Sequence, residues 1–133
     1  MASIAKLLEK GRIETKYSEK NEPIFTDASV QYGGYGEYVT PVDILATSLA
    51  HCALTTMAIR AQHEGIAFDG AWAEVGEIAE DPKTITVTSI EITFHLPATV
   101  DEKLRSKFES FAHKGCYVGN SLNIEKKFTF VYE

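Results

Sequence analysis

The sequence predicts a single α+β domain over residues 1–133. A helical segment runs without a breaker from Thr40-Pro41 to Glu64, and segments of alternating apolar and polar residues flank it on both sides. A second amphipathic segment opens at Val100. No repeat, linker or low-complexity stretch divides the chain, so one layered domain is the economical reading.

Taken in order, residues 3–8 and 12–18 are expected strands split by Gly11, and the second shows half-buried alternation. Asn21-Glu22-Pro23 is a turn signal, and Pro23 to Thr26 forms a short third strand. Gln31 to Tyr38 is a glycine/tyrosine loop. Its glycines suit tight backbone packing, because no helix follows at the spacing of a phosphate-binding loop. Thr40 caps the long helix, Pro41 fits its first turn and Asp43 complements the positive end of its dipole, while Gly65 stops it. At about 1.5 Å per residue the helix is about 35 Å long. Leu45, Leu49, Cys52, Thr56 and Ile59 recur along one face and alanines keep much of the rest small, so cover on more than one side is expected.

Residues 71–79 and 84–96 read as strands joined by Glu80 to Lys83. In the second, Ile85, Val87 and Ser89 alternate against Thr86, Thr88, Ile90, Ile92 and Phe94, with a phase slip near Ser89. The second helix buries Leu104, Phe108 and Phe111 and ends near Gly115. A helical turn follows Cys116, and residues 124–132 form the last strand.

Composition narrows the function. Hydrophobic residues are 44% and charged residues 24%, an ordinary globular balance. The net charge of −6 and the absence of any clustered Lys and Arg exclude nucleic acid and an anionic membrane surface as expected partners. The N-terminus lacks the pattern of a signal peptide, and no apolar run is expected to approach the roughly 20 residues that span a bilayer. A cytoplasmic location is therefore expected, where two cysteines stay reduced at rest and pair only transiently.

From its position alone, Cys52 is either a small buried hydrophobe or a nucleophile. Cys116 follows a helix-ending glycine and precedes a new turn, whose backbone donors would favour the thiolate. His113-x-x-Cys116 and His51-Cys52 offer nitrogen and sulfur ligands. Adjacent helical residues point about 100° apart, however, and the usual paired zinc spacings are missing, so neither metal nor cofactor is expected. A Cys-His hydrolase would lack a marked third orienting group.

The order of the parts is more specific than any one of them. Gly33-Gly34-Tyr35-Gly36, then Thr40-Pro41-Val42-Asp43-Ile44-Leu45, then Cys52 eleven residues after the proline, are followed by Gly65-Ile66, Asp81-Pro82 and Cys116-Tyr117-Val118. This arrangement covers nearly the whole chain and resembles the OsmC/Ohr family, osmotically inducible and organic hydroperoxide resistance proteins, in its OsmC-like branch. The resemblance implies an OsmC-like fold in which a long central helix and a second helix pack on antiparallel sheets. It implies an intertwined homodimer with a site at the subunit boundary. It further implies reduction of organic hydroperoxides, with Cys52 peroxidatic, Cys116 resolving and a small dithiol or dithiol protein as reductant.

Well-described members carry Glu directly after the helix-starting proline, where it orients an arginine over the thiolate. Here that position is Val42, and the nearest carboxylate is Asp43. Arg12 is the one arginine before the helix, while Arg60 lies about two turns beyond Cys52 and Arg105 sits on the second helix. Of these, the resemblance implies Arg12 with Asp43 as the activating pair. Tyr117 stands where a proline commonly follows the second cysteine. The alternative is a non-peroxidase dimer of the same fold that binds an apolar small molecule at the subunit boundary, which Val42 favours.

Overall fold

Lys10 and Gly11 both lie in the left-handed backbone region, with φ of 50° and 76°. Two such residues in succession suit a tight hairpin. In this computed structural model, which describes residues 3–17 and 22–133, the turn joins β1 (Ser3–Leu7) to β2 (Ile13–Tyr17). β3 (Ile24–Thr26) pairs antiparallel with β2, in the sheet order β1-β2-β3. Met1, Ala2, Ser18 and Asn21, which the N-terminal, second-strand and turn readings include, lie outside the described residues. The chain forms two compact units, residues 1–45 and 46–133.

In the first unit the glycine loop folds back on the segment after β3. The Gly34 amide donates to the Ser29 carbonyl at 3.0 Å, and the Gly36 amide donates to the Ala28 carbonyl at 3.2 Å. A Cβ on Gly34 would stand 2.0 Å from the Ala28 oxygen, so this approach is open to glycine alone. The loop then leads into α1 (Pro41–His63). Thr40 and Asp43 cap the helix reciprocally. The Asp43 amide donates to Thr40 Oγ1 at 3.2 Å, and the Thr40 amide donates to Asp43 Oδ2 at 3.0 Å. At the other end Gly65 takes φ of 70°, and the Ile66 amide reaches back to the Ala61 carbonyl at 2.9 Å.

The second unit holds the core. β4 (Trp72–Asp81) pairs antiparallel with β5 (Thr86–Leu96). β6 (Glu125–Tyr132) adds to β5 in parallel, which corrects the expectation of purely antiparallel sheets. The reason lies in the connection: α2 (Glu102–Lys114) and α3 (Tyr117–Asn120) carry the chain back across before β6 begins, as a parallel pairing requires. Ile90, Ile92, Phe94 and Leu96 of β5 meet Leu49, Ala53 and Met57 of α1 and Phe108 of α2 in one buried cluster. Burial of Phe94 and Phe108 contributes about 1.5–3 kcal/mol each.

Three expectations are adjusted. The buried face of α1 is the small-residue face, Ala46, Leu49, Ala50, Ala53, Met57 and Ala61, and Ile59 is 51% exposed. The helix is apolar almost all round, so periodicity could not single out the face on which small side chains permit close packing. By length and composition α1 is also apolar enough to cross a bilayer, which corrects the expectation that no apolar run is long enough, because its alanines, leucines and isoleucines outweigh the scattered hydroxyls. Finally, Ile85 sits in the exposed turn before β5, at φ of 53°. The slip near Ser89 coincides with an irregularity: Ala79 pairs with Ser89 but Glu80 with Val87, leaving Thr88 out of register.

His95 of β5 stacks on Trp72 of β4, with ring centroids 3.9 Å apart and planes 6° off parallel. Its Nε2 lies 3.0 Å from Glu74 Oε1, and its Nδ1 bonds Glu133. Carboxylates on both nitrogens favour the doubly protonated ring. The Glu74 bond first, and then Glu133, raise its pKa above the ordinary value of about 6.5 against the opposing effect of burial. With a raised folded-state pKa, the stabilisation is complete below about pH 6.5 and is lost as pH rises through the folded value. Trp72 is the single tryptophan. Its fluorescence should therefore titrate with a midpoint above about 6.5, and His95→Gln should flatten the curve. A midpoint at or below 6.5 would contradict this account.

Candidate active site

Cys52 lies on α1 within the second unit and is half-buried, whereas Cys116 is fully buried. Both are free thiols. Far apart in the chain, they become neighbours in the fold, with the Cys52 thiol close enough to influence that of Cys116. Cys116 occupies the N-cap of α3, and its Sγ accepts from the Gly119 amide at 3.3 Å.

Burial first, and then the neighbouring Cys52 thiol, push the Cys116 pKa above its ordinary value, while the Gly119 and Val118 amides pull the other way and do not prevail. This corrects the expectation that a helix start makes Cys116 a ready thiolate. The helix it caps has only four residues, too few for a strong dipole, and the sulfur has lost its water. At rest Cys116 is a protonated thiol, and Cys52 is the accessible one.

Two further residues hold the cysteines in place. Thr56 lies one turn beyond Cys52 on α1, on the same side of the helix. Its hydroxyl is 2.9 Å from the Cys52 carbonyl oxygen and 3.3 Å from that of Gly115, the residue before Cys116. A Cβ on Gly115 would meet Thr56 Cγ2 and the Phe111 oxygen, each at 3.0 Å.

The first unit contains a second cluster. Arg12 Nε donates to Asp27 Oδ1 at 2.7 Å and Nη2 donates to Asp27 Oδ2 at 2.8 Å, a two-pronged pair. Nη2 also donates to Glu37 Oε1 at 2.6 Å. The Glu37 and Tyr38 amides, delivered by the glycine loop, both donate to Asp27 Oδ2 at 2.9 Å. The guanidinium carbon lies 4.6 Å from the Tyr35 ring centroid and 4.7 Å from that of Tyr38, within cation–π range. Asp27 is fully buried, and its bond to Arg12, with help from the two amides, holds its carboxyl well below the usual range.

The two carboxylates bonded to Arg12 are thus Asp27 and Glu37, while Asp43 forms the capping box with Thr40. Sequence reasoning missed Asp27, Glu37 and Thr56. A lone aspartate after a three-residue strand carries no signature. The one usable hint for Asp27 was the glycine loop, whose amides need an acceptor. Thr56 was legible only as a member of an apolar face. His113 stacks on Phe128 at 4.5 Å. Among the described residues, no three His, Cys, Asp or Glu side chains are grouped to hold a metal ion.

The fold recurs among known structures. A protein from Psychrobacter arcticus 273-4, described by osmotic stress induction and a detoxification response, is 30% identical, with a TM-score of 0.85 over 100% of this chain and 96% of that one. An OsmC-like protein of unknown function from Vibrio cholerae O1 shares 14% identity, with a TM-score of 0.80 over 98% of this chain and 97% of that one. An organic hydroperoxide resistance protein from the same organism, with captopril in one of its active sites, shares 19% identity. Its TM-score is 0.72 over 97% of this chain and 89% of that one. No curated protein matches the chain. The sequence profile described as OsmC-like protein matches residues 34–131, from the glycine loop through both cysteines to β6. With that match and a 30% identical relative sharing the fold from end to end, the chain belongs to the OsmC-like protein family.

Proposed function

We propose that this protein is a single OsmC-like domain, 1–133, that reduces organic hydroperoxides through a Cys52–Cys116 dithiol. The observation that carries the reading is the contact between the two thiols, one accessible and one buried. Relatives named for organic hydroperoxide resistance add to it. Ionised Cys52 attacks the terminal oxygen of the hydroperoxide. The O–O bond breaks, an alcohol leaves with a proton, and Cys52 becomes a sulfenic acid. Cys116 then gives up its proton and attacks the Cys52 sulfur, which releases water and forms the disulfide. A small dithiol or dithiol protein reduces that bond through a mixed disulfide and is itself oxidised.

Arg12 is our candidate cation for thiolate activation, held by Asp27 and Glu37, with Asp43 as a further acid at the helix start. We read the working form as a cytoplasmic homodimer. Exposed Ile59 on α1 and exposed Ile4 and Leu7 on β1 are apolar side chains suited to cover by a second copy.

The test adds one equivalent of cumene hydroperoxide to reduced protein and counts free thiols. Both should be lost, with one alcohol formed per disulfide. Thiols that survive long exposure would sink the reading and favour a non-peroxidase dimer that binds an apolar small molecule.

A further inference from the structure

Three successive positions on one side of α1 meet the segment that carries the second cysteine. Leu49 approaches Gly119, where an added Cβ would lie 3.4 Å from Leu49 Cδ1. Cys52 meets Cys116. Thr56 meets Gly115, with its hydroxyl 3.3 Å from the Gly115 oxygen and its methyl 3.0 Å from where a Cβ on Gly115 would stand, close enough that one of the two would have to shift. The same hydroxyl lies 2.9 Å from the Cys52 carbonyl oxygen, so one side chain spans the residue bearing the first sulfur and the residue preceding the second.

From this arrangement we propose that Thr56, seated on Gly115, is the positioning residue that sets the Cys52–Cys116 distance and with it the reduction potential of the pair. The inference rests on the dithiol reading above, but it does not require a peroxide to be the oxidant. A disulfide needs its two Cα atoms within a narrow range, so a shift of the 115–116 backbone away from α1 lowers the effective concentration of one thiol at the other. Gly115 has φ of −96°, a backbone that alanine also adopts, so Gly115→Ala changes the spacing through its Cβ and not through backbone strain.

The experiment equilibrates the full-length protein with graded mixtures of reduced and oxidised glutathione and quantifies the Cys52–Cys116 disulfide by mass spectrometry. In this exchange the protein dithiol becomes a disulfide as one oxidised glutathione becomes two reduced ones. Thr56→Val keeps the shape and removes the hydroxyl, and the equilibrium constant should fall about 3- to 10-fold. Thr56→Ser keeps the hydroxyl and should stay within about twofold of wild type. Gly115→Ala should fall about tenfold or more, and Thr56→Ser combined with Gly115→Ala should recover part of that loss, because serine lacks the methyl that the new Cβ meets.

Circular dichroism of each variant separates these shifts from loss of fold, and Thr56→Ser serves as the folded reference if Gly115→Ala proves unstable. Equal constants for wild type, Thr56→Val and Gly115→Ala would overturn the proposal, as would a wild type that forms no internal disulfide in glutathione. A wild type that forms the disulfide with glutathione but not with cumene hydroperoxide would overturn the peroxidase reading alone and leave the positioning role standing.

Discussion

Replacing Cys52 with serine should abolish turnover of cumene hydroperoxide, with kcat/KM falling by on the order of 10³-fold or more. The alcohol of serine is a far weaker nucleophile toward an O–O bond than a thiolate, and the one other thiol of the chain is Cys116. Cys116 alone is buried and held protonated, so it cannot substitute. Cys116→Ser should behave differently. It should consume one equivalent of peroxide and stop, leaving a Cys52 sulfenic acid that dimedone traps. The serine oxygen can still accept from the Gly119 amide at the cap, so this variant should keep its melting temperature. Coupled assays with a dithiol reductant and mass spectrometry of the dimedone adduct read both outcomes. Unchanged turnover in Cys52→Ser would refute the assigned nucleophile, and full turnover in Cys116→Ser would refute the resolver.

Asp27→Asn should lower the melting temperature at pH 7 by on the order of 10 °C. Asparagine has nearly the same shape, but one of its two groups becomes a donor. Whichever way it turns, an NH₂ faces the Arg12 guanidinium, and in one orientation it faces the amides of Glu37 and Tyr38 as well. Glu37 is exposed, so Glu37→Gln should change the melting temperature by far less. The acid limb makes the test specific. The Asp27 carboxyl is held below its ordinary range, so its stabilisation is present above about pH 4 and is lost as pH falls through the depressed value. The gap between wild type and Asp27→Asn in thermal melts should hold from pH 7 to about 4 and narrow below that. A gap of under about 2 °C at pH 7, or one that ignores pH, would show that the pair is not the anchor of this unit.

Much of this architecture was legible without coordinates, and the reasons are local. Pro41 and Asp43 mark the start of α1 because a helix N-terminus wants a missing donor and a negative charge, and Gly65 marks its end because only a left-handed residue closes it there. The turn at Asp81-Pro82 and the helix start at Asp101-Glu102 follow from equally short-range chemistry, although β4 runs two residues further and β5 starts two residues later than expected. The order of glycine loop, proline-started helix and two cysteines carried the family, which the profile match over residues 34–131 bears out.

The Cys52–Cys116 pair shows where that legibility ends. By itself the sequence determined the main helices and strands, the start and stop of α1, and which two thiols stand at a helix face and a helix start. Those properties depend on neighbours a few residues away. Only the tertiary structure decided that the thiols meet, that burial keeps Cys116 protonated and that Thr56 rests on Gly115. It alone showed that Arg12 is held by Asp27. Each of these depends on residues distant in the chain being brought within bonding range, and on how much water is lost when they meet. No spacing rule encodes either quantity.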